Sequence, residues 1–374
     1  MTKRVLVLGG RGRIGQAIVA DLLTHTDTII MATGRQGAVM SSDHPQRLAY
    51  QRLELNQQSA LNQAIASVDL VIHCAGPFHH RDGRVLQTCI HHRVNYIDIS
   101  DHRGFTERAL AQHEAAQAAG VTAIVNGGIF PGISNSMVRQ GIETLDQADA
   151  VHLRYVVGGS GGAGLTVLRT TFLGLQHPFL ARLDGEWRSV LPYSDRQMVR
   201  FPKPFGRVGV YWYDVPETLT LAESFSLQTL TTKFGSVPDL YNYLTWMTAH
   251  GLPKSWLQHP TVIEFLTQVS YRMTQWSDRW SGVGVGIHLE IQGQLQGQPA
   301  SYTATLTHPQ TAIAAAAGVG CLAQYVLSQQ LQQPGVYPVE RILSTPAFEQ
   351  AMAQRDILIQ RSLPSVTPGS PRDR

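Results

Sequence analysis

Between residues 3 and 128, short unbroken apolar runs alternate with stretches in which apolar residues recur every three or four positions. An unbroken run suits a strand covered on both faces, and the three-to-four spacing suits a helix with one buried face. The pattern predicts strands over 4–8, 28–32, 48–54, 69–73, 95–97 and 123–126, with helices over 15–24, 59–66, 83–92 and 105–119 between them. Gly120, after the last of these helices, is a C-cap signal that returns the chain to a strand. Such alternation builds a doubly wound parallel sheet, so residues 1–130 are expected to form the Rossmann-type domain of an α/β protein.

From 131 to 309 the rhythm changes. Alternating runs such as 151–157, 208–213 and 286–295 read as strands with one exposed face, which calls for a second, α+β domain with a mainly antiparallel sheet. All six tryptophans lie in it, and aromatics this dense are expected to build its core rather than line a substrate site. Residues 310–361 read as closing helices that fold back on the Rossmann domain. The first of them starts at Thr311, and its small residues over 314–320 permit close packing. Residues 362–374, rich in proline, serine and charge, read as a disordered tail.

Composition narrows the class of protein. With 374 residues, 43% of them hydrophobic and 15% charged, the chain is long and apolar enough for two cored domains. Thirty basic residues stand against 27 acidic ones without any basic block, which speaks against a nucleic-acid partner. Cys74, Cys89 and Cys321 are too scattered for a disulfide framework or a zinc site and point to a reducing compartment. The first apolar run is too short for a signal sequence, and no stretch has the length of an integral membrane segment. A cytoplasmic location is therefore expected.

The segment Val5-Leu-Val-Leu-Gly-Gly-Arg-Gly-Arg-Ile-Gly15 reads strand, glycine turn, helix start. That is the context in which spaced glycines bind a dinucleotide. Gly10 allows the tight turn, Gly12 lets backbone approach a pyrophosphate, and Gly15 lets the helix lie close to the strand. A purely structural glycine loop is the competing reading. Where the second strand ends, NAD enzymes place an acid against the ribose, and NADP enzymes commonly place an arginine. Here the residues are Met31-Ala-Thr-Gly-Arg35, and the first acid comes only at Asp43. Arg35, with Arg11 and the hydroxyl of Thr33, suits a 2′-phosphate, so NADP is expected in preference to NAD. The bland reading makes Arg35 a solvated loop residue. Cys74-Ala-Gly-Pro-Phe78 ends the fourth strand at the edge where the cofactor's second half should pass, with Cys74 itself a small buried filler.

Together with Asn95-Tyr-Ile-Asp98, Gly127-Gly-Ile-Phe-Pro-Gly-Ile-Ser-Asn135, the glycines of 158–164 and Gly335-Val-Tyr-Pro-Val-Glu340, these motifs resemble the saccharopine dehydrogenase-like (saccharopine reductase) family of NADP-binding oxidoreductases. The resemblance implies cofactor contacts at Gly10, Arg11, Gly12, Arg13, Ile14, Arg35, Ala75, Gly76, Pro77 and Phe78. Asp98, Phe130, Pro131 and Gly132 would line the edge of a substrate cleft between domains, with Phe130 and Pro131 also close to the cofactor. It further implies hydride transfer on a small-molecule substrate, a second domain that supplies the dimer or the substrate surface, and a homodimer.

For proton exchange, the four lysines Lys3, Lys203, Lys233 and Lys254 exclude a Tyr-x-x-x-Lys pair, since none follows a tyrosine by four. Asp98, Asp101 and His102, just past the fifth strand, are the remaining candidates, an Asp beside a His being able to hold its pKa near neutrality. Against this, Asp98 can simply cap the next helix and His102 can be solvated. The pairs His79-His80 and His91-His92 lack the spacing of metal ligands, and no metal is expected. The glycine run 158–164 suits a close-packed backbone crossing or a hinge better than a second anion site. A non-catalytic, nucleotide-binding scaffold is the alternative to an oxidoreductase.

Overall fold

The strands of the first half form where the unbroken apolar runs stand: β1 (Arg4–Leu8), β2 (Ile29–Gly34), β3 (Leu48–Arg52), β4 (Leu70–His73), β5 (Asn95–Asp98) and β6 (Thr122–Val125). Further along come β7 (Gln147–Gly158), β8 (Phe179–Leu183), β9 (Glu186–Val190), β10 (Gln197–Phe201), β11 (Gly206–Trp212), β12 (Thr229–Val237), β13 (Gly284–Leu295) and β14 (Gln298–His308). Last are β15 (Gly335–Pro338), β16 (Ile359–Arg361) and β17 (Ser365–Val366). This computed structural model describes residues 2–35, 44–162 and 164–366. The chain divides into two units, Met1–Ile133 with Ala312–Arg355, and Ser134–Thr311 with Asp356–Arg374.

In the first unit seven parallel strands run in the order β15-β6-β5-β4-β1-β2-β3. Every residue of β4 and β6, and all but the first of β1, is buried. This explains why these segments are apolar throughout instead of alternating: helices cover both faces. The order reverses between β1 and β4, so the carboxyl ends of these two strands flank the crevice where doubly wound sheets bind ligands.

The expected helix over 105–119 is two, Arg103–Leu110 and His113–Ala119. The break turns His113 toward the returning strand, where its Nδ1 lies 3.0 Å from the Val336 carbonyl oxygen and 3.2 Å from the Val336 amide nitrogen. Nothing in the local periodicity marks that partner, 223 residues away.

The helix Thr311–Leu327 packs on the turn that follows β6. A Cβ at Gly318 would collide with the Gly128 carbonyl, and one at Gly127 would come within 2.8 Å of Leu322. The small residues therefore serve close backbone contact. Beside this helix Arg355, at 2% exposure, donates to both oxygens of Asp21 at 2.8 and 3.0 Å. Burial raises the Asp21 pKa while Arg355 lowers it. Removing one partner of such a pair leaves a buried charge uncompensated. Arg355→Ala is expected to lower stability at pH 7 by about 3–5 kcal/mol. Urea unfolding of the full chain checks this, and a loss under about 1 kcal/mol would mean the pair is solvated.

In the second unit a ten-stranded sheet is ordered β10-β11-β12-β7-β13-β14-β16, with β17 on β14 and the hairpin of β8 and β9 on β12. Among the described residues only β7 and β12 of this sheet pair in parallel; its other pairs are antiparallel. Two sequence expectations change here. The tryptophans are not mainly core. Trp212 is buried, but Trp187, Trp246, Trp256, Trp276 and Trp280 are exposed, the last four on or beside helices whose apolar residues are not confined to one face. The segment taken as a tail is paired as far as Val366, through β17 and the Ser362 amide on the Thr303 carbonyl; residues 367–374 lie outside the described residues.

Candidate functional site

The glycine turn between β1 and the helix Arg13–His25 is held by short-range bonds, Gly10 N–H to Val7 O at 3.2 Å and Gly12 N–H to Gly9 O at 2.9 Å. Gly9 adopts φ +82°, a left-handed conformation that side chains disfavour. Its three neighbours in the turn answer different needs. A Cβ at Gly10 would lie 2.7 Å from the Ala32 Cβ, and one at Gly15 would collide with the Gly9 carbonyl. Fold packing therefore excludes side chains at both. At Gly12 a Cβ would meet one atom only, Gly9 O at 3.2 Å, and the backbone has φ −73°, ψ 165°, open to any residue. Packing is therefore less demanding at Gly12 than at Gly10 or Gly15.

Gly12 is also the N-cap of the helix Arg13–His25, without a side-chain cap and with no acid in the first turn. The first turn of a helix presents amides and the positive end of its dipole outward, an arrangement suited to phosphate. Arginines cluster around it. The side chain of Arg11 crosses over Gly34 at the end of β2, within 2.8 Å of where a Cβ there would be, beside the exposed Arg35. Arg81 donates to the carbonyls of Ala75 and Gly76 at 2.7 and 3.3 Å. Its pKa is lowered by burial first and by the Arg35 charge second, which sets the two guanidinium groups near each other. Arg81 was not marked by any pattern in the sequence, because the turn it braces is closed only by folding.

Other sequence candidates fall differently. Thr33 is buried and its hydroxyl donates to Val7 O at 3.4 Å, so it is committed inside the sheet and not to a phosphate. Cys74 donates Sγ–H to Leu8 O at 3.0 Å and its thiol is pushed up to about 12 by burial, as a filler and not a nucleophile. Ala75, Gly76 and Pro77 are half-buried in the turn after β4, against which Gly9 packs. Phe78 is buried, edge-on to His73 and Phe105 at 5.1 and 5.0 Å, which makes it a wall of the aromatic packing beneath the turn. Phe130 is half-buried and Pro131 buried in the tight loop where Gly128 bridges Gly132. Asp43 lies outside the described residues.

Past β5, Asp98 is fully buried. Its Oδ1 accepts the amides of Ser100 and Asn126, each at 2.9 Å, while Oδ2 accepts no such bond. Burial raises its pKa to about 6 against the lowering effect of those amides and the Tyr96 hydroxyl. The same hydroxyl lies 3.2 Å from Nδ1 of His73, which burial drives down to about 3. His73, Tyr96 and Asp98 thus line up across the ends of β4 and β5. Asn126 holds φ +63° and donates to Ser100 O and Thr106 Oγ1, both at 2.8 Å. The expected Asp–His pair does not form through Nδ1 of His102, which is buried without a partner. That ring lies tilted by 34° against His79 with centroids 4.0 Å apart, and its pKa falls to about 4 through burial first and Arg108 second. Asp101 is half-buried in the turn between them.

Among the described residues no group of three His, Cys, Asp or Glu could hold a metal, and no helix is long and apolar enough to cross a membrane. The glycines at and after the end of β7 are closely packed: Gly158 faces Gly282, Gly161 faces Pro309 and Gly162 faces Gly284 through backbone, and Gly159 faces the Asp278 carboxylate. The anion that the amide of Ser160 meets there is the chain's own Asp278, at 2.8 Å. Ala163 of this run lies outside the described residues.

Residues 5–124 match the family model described as the saccharopine dehydrogenase NADP binding domain. Among solved structures, the apo histidine-tagged saccharopine dehydrogenase (L-Glu forming) of Saccharomyces cerevisiae is 13% identical over 96% of this chain and 99% of that one, with TM-score 0.67. An engineered D-amino acid dehydrogenase bound to NADP+ and the C. glutamicum DAP dehydrogenase in complex with DAP are each 15% identical, over 96% of this chain and all of theirs, with TM-score 0.52. At these identities the three share a fold with this chain. The glycine turn, its helix start and the arginines beside it lie within or against the matched residues.

Proposed function

We propose, for a chain that is a saccharopine dehydrogenase-like NADP-binding oxidoreductase, that NADP(H) rests on the glycine turn and that the substrate is a small polar imine or carbonyl compound. The observation that carries the cofactor position is Gly12, the glycine of the turn where a Cβ would be least obstructed, at the start of a helix with Arg11, Arg35 and Arg81 nearby. When bound, the cofactor supplies or takes up hydride. The amides of Arg13, Ile14 and Gly15 would hold its pyrophosphate, Arg35 and Arg11 its 2′-phosphate, and the turn at Ala75, Gly76 and Pro77, braced by Arg81, would flank its nicotinamide half.

The proton that accompanies hydride transfer we assign to Asp98. A general acid or base works best with a pKa near the operating pH. Asp98, at about 6, meets this, whereas His102, at about 4, is too weak a base. The three cysteines are unpaired thiols, which fits the cytoplasmic setting expected from their spacing. A homodimer is retained as part of this reading.

Calorimetric titration of wild type and Arg35→Ala with NADPH and NADH tests the cofactor assignment. Loss of one charge-assisted phosphate contact should weaken NADPH by about ten- to a hundredfold, or roughly 1.5–3 kcal/mol, and leave NADH nearly unchanged. Equal loss for both nucleotides would remove Arg35 from the phosphate site. Binding without turnover on any imine or carbonyl would shift the reading to the scaffold.

A further inference from the structure

We propose that the second unit carries a binding site of its own for an uncharged, single-chain apolar molecule of the fatty-alcohol or isoprenoid kind. Strands β7 and β12 and the helices Leu165–Leu173, Leu240–Gly251 and Pro260–Ser277 enclose a chamber of about 390 Å³. Protein interiors rarely leave voids larger than a water molecule. An apolar void of about 150 Å³ already stays dry and takes up hydrocarbon. This chamber is more than twice that size and falls in the range of small-molecule sites.

Its walls define the ligand. Val167, Phe172, Phe234, Leu244, Leu266 and Met273 supply apolar surface, and among the described residues no lining side chain carries a charge. Four threonine hydroxyls in the wall are spent on nearby carbonyls, Thr171 on Val167 at 2.9 Å, Thr245 on Tyr241 at 2.8 Å, Thr248 on Leu244 at 2.9 Å and Thr274 on Tyr271 at 2.8 Å, which leaves Ser236 and Ser270 as the wall's other aliphatic hydroxyls. Tyr241, from the first of the long helices, donates to the Met273 carbonyl on the other at 2.7 Å. A polar or charged molecule would lose its hydration here and gain little in return; a hydrocarbon chain loses nothing polar.

The mouth lies on the same helices. Met247 and Val269 both line the chamber and stand 51% and 40% exposed, so the cavity reaches the surface between them. Flexible Met side chains at an entrance adapt to chains of different shape.

Titration of the full-length protein with 1-dodecanol, followed by calorimetry, tests the proposal. The expected result is saturable one-to-one binding, weakened at least tenfold in Ser270→Phe, which fills the chamber from the helix Pro260–Ser277. The double variant Phe265→Ser/Trp276→Ser, outside the chamber, should bind as wild type does. Thermal melting and NADPH titration report whether each variant is folded; if Ser270→Phe is not, Val167→Phe fills the chamber from the opposite wall. No saturable binding, equal binding by the filled variants, or loss only in the surface variant would overturn the proposal, the last by showing adsorption to the exposed aromatics. NADPH binding belongs to the first unit, so failure here leaves the oxidoreductase reading standing.

Discussion

Gly12→Asp is expected to abolish NADPH binding, by a factor of a hundred or more, without loss of stability. A Cβ at this position meets only Gly9 O at 3.2 Å, and the backbone is already in the extended conformation that N-cap residues adopt. The helix Arg13–His25 has no side-chain cap, so the new carboxylate can accept from the Ile14 or Gly15 amide of its first turn. A cap of this sort stabilises by about 1 kcal/mol. The melting temperature should hold or rise by a few degrees. The carboxylate would then occupy the amides proposed to hold a pyrophosphate and repel its charge, and a hundredfold loss corresponds to about 2.7 kcal/mol. Gly15→Val supplies the contrast, since its Cβ would collide with the Gly9 carbonyl, and both stability and binding should fall. NADPH binding that survives Gly12→Asp would mean that the cofactor lies elsewhere.

The second large effect is a pair of opposite pH dependences inside the same unit. His73 has a folded pKa near 3 against an ordinary value of 6.5, depressed chiefly by burial. Its neutral form therefore stabilises the fold fully above pH 6.5, and that contribution drains away as the pH falls toward 3. Between pH 7 and 4 the loss is about 3 kcal/mol. Asp98 behaves in reverse. Its folded pKa near 6 lies above the ordinary 3.8, so its contribution is full below pH 3.8 and is lost as the pH rises through 6. The amount is again about 3 kcal/mol.

His73→Asn and Asp98→Asn remove these titrations while keeping groups of similar shape, including an acceptor for the Ser100 and Asn126 amides. Urea unfolding at pH 7 and pH 4 should show His73→Asn gaining on wild type as the pH drops and Asp98→Asn losing ground. Parallel pH profiles for wild type and both variants would mean that neither group is buried as described. In activity assays Asp98→Asn should also flatten the limb of the kcat/KM profile near pH 6 if Asp98 carries the proton.

The local chemistry of the chain already contains the first unit. A segment buried on both faces has to be apolar throughout, and a turn that packs against its neighbouring strand has to be glycine at positions such as 10 and 15. Both requirements act within a few residues, so the parallel strands, the glycine turn and the arginines at 11 and 35 are legible without coordinates. The antiparallel character of the second sheet is legible for the same reason, through alternation along each strand.

What folding alone decides is which neighbour each segment meets. Phe78 stands in the turn motif yet turns inward against His73 and Phe105, and the hydroxyl of Thr33 goes to Val7 instead of outward. Arg81, His73, Tyr96 and Asn126 join the site through partners on other strands and turns, for which no spacing rule exists. Asn126 offers the one faint signal, an Asn before two glycines, a residue type that tolerates positive φ. The split at His113 answers a strand 223 residues away. The exposed tryptophans of the second unit follow from the same limit: composition reports how much apolar surface a segment carries, and only the packing of helices on a sheet determines which part is covered and where a chamber remains.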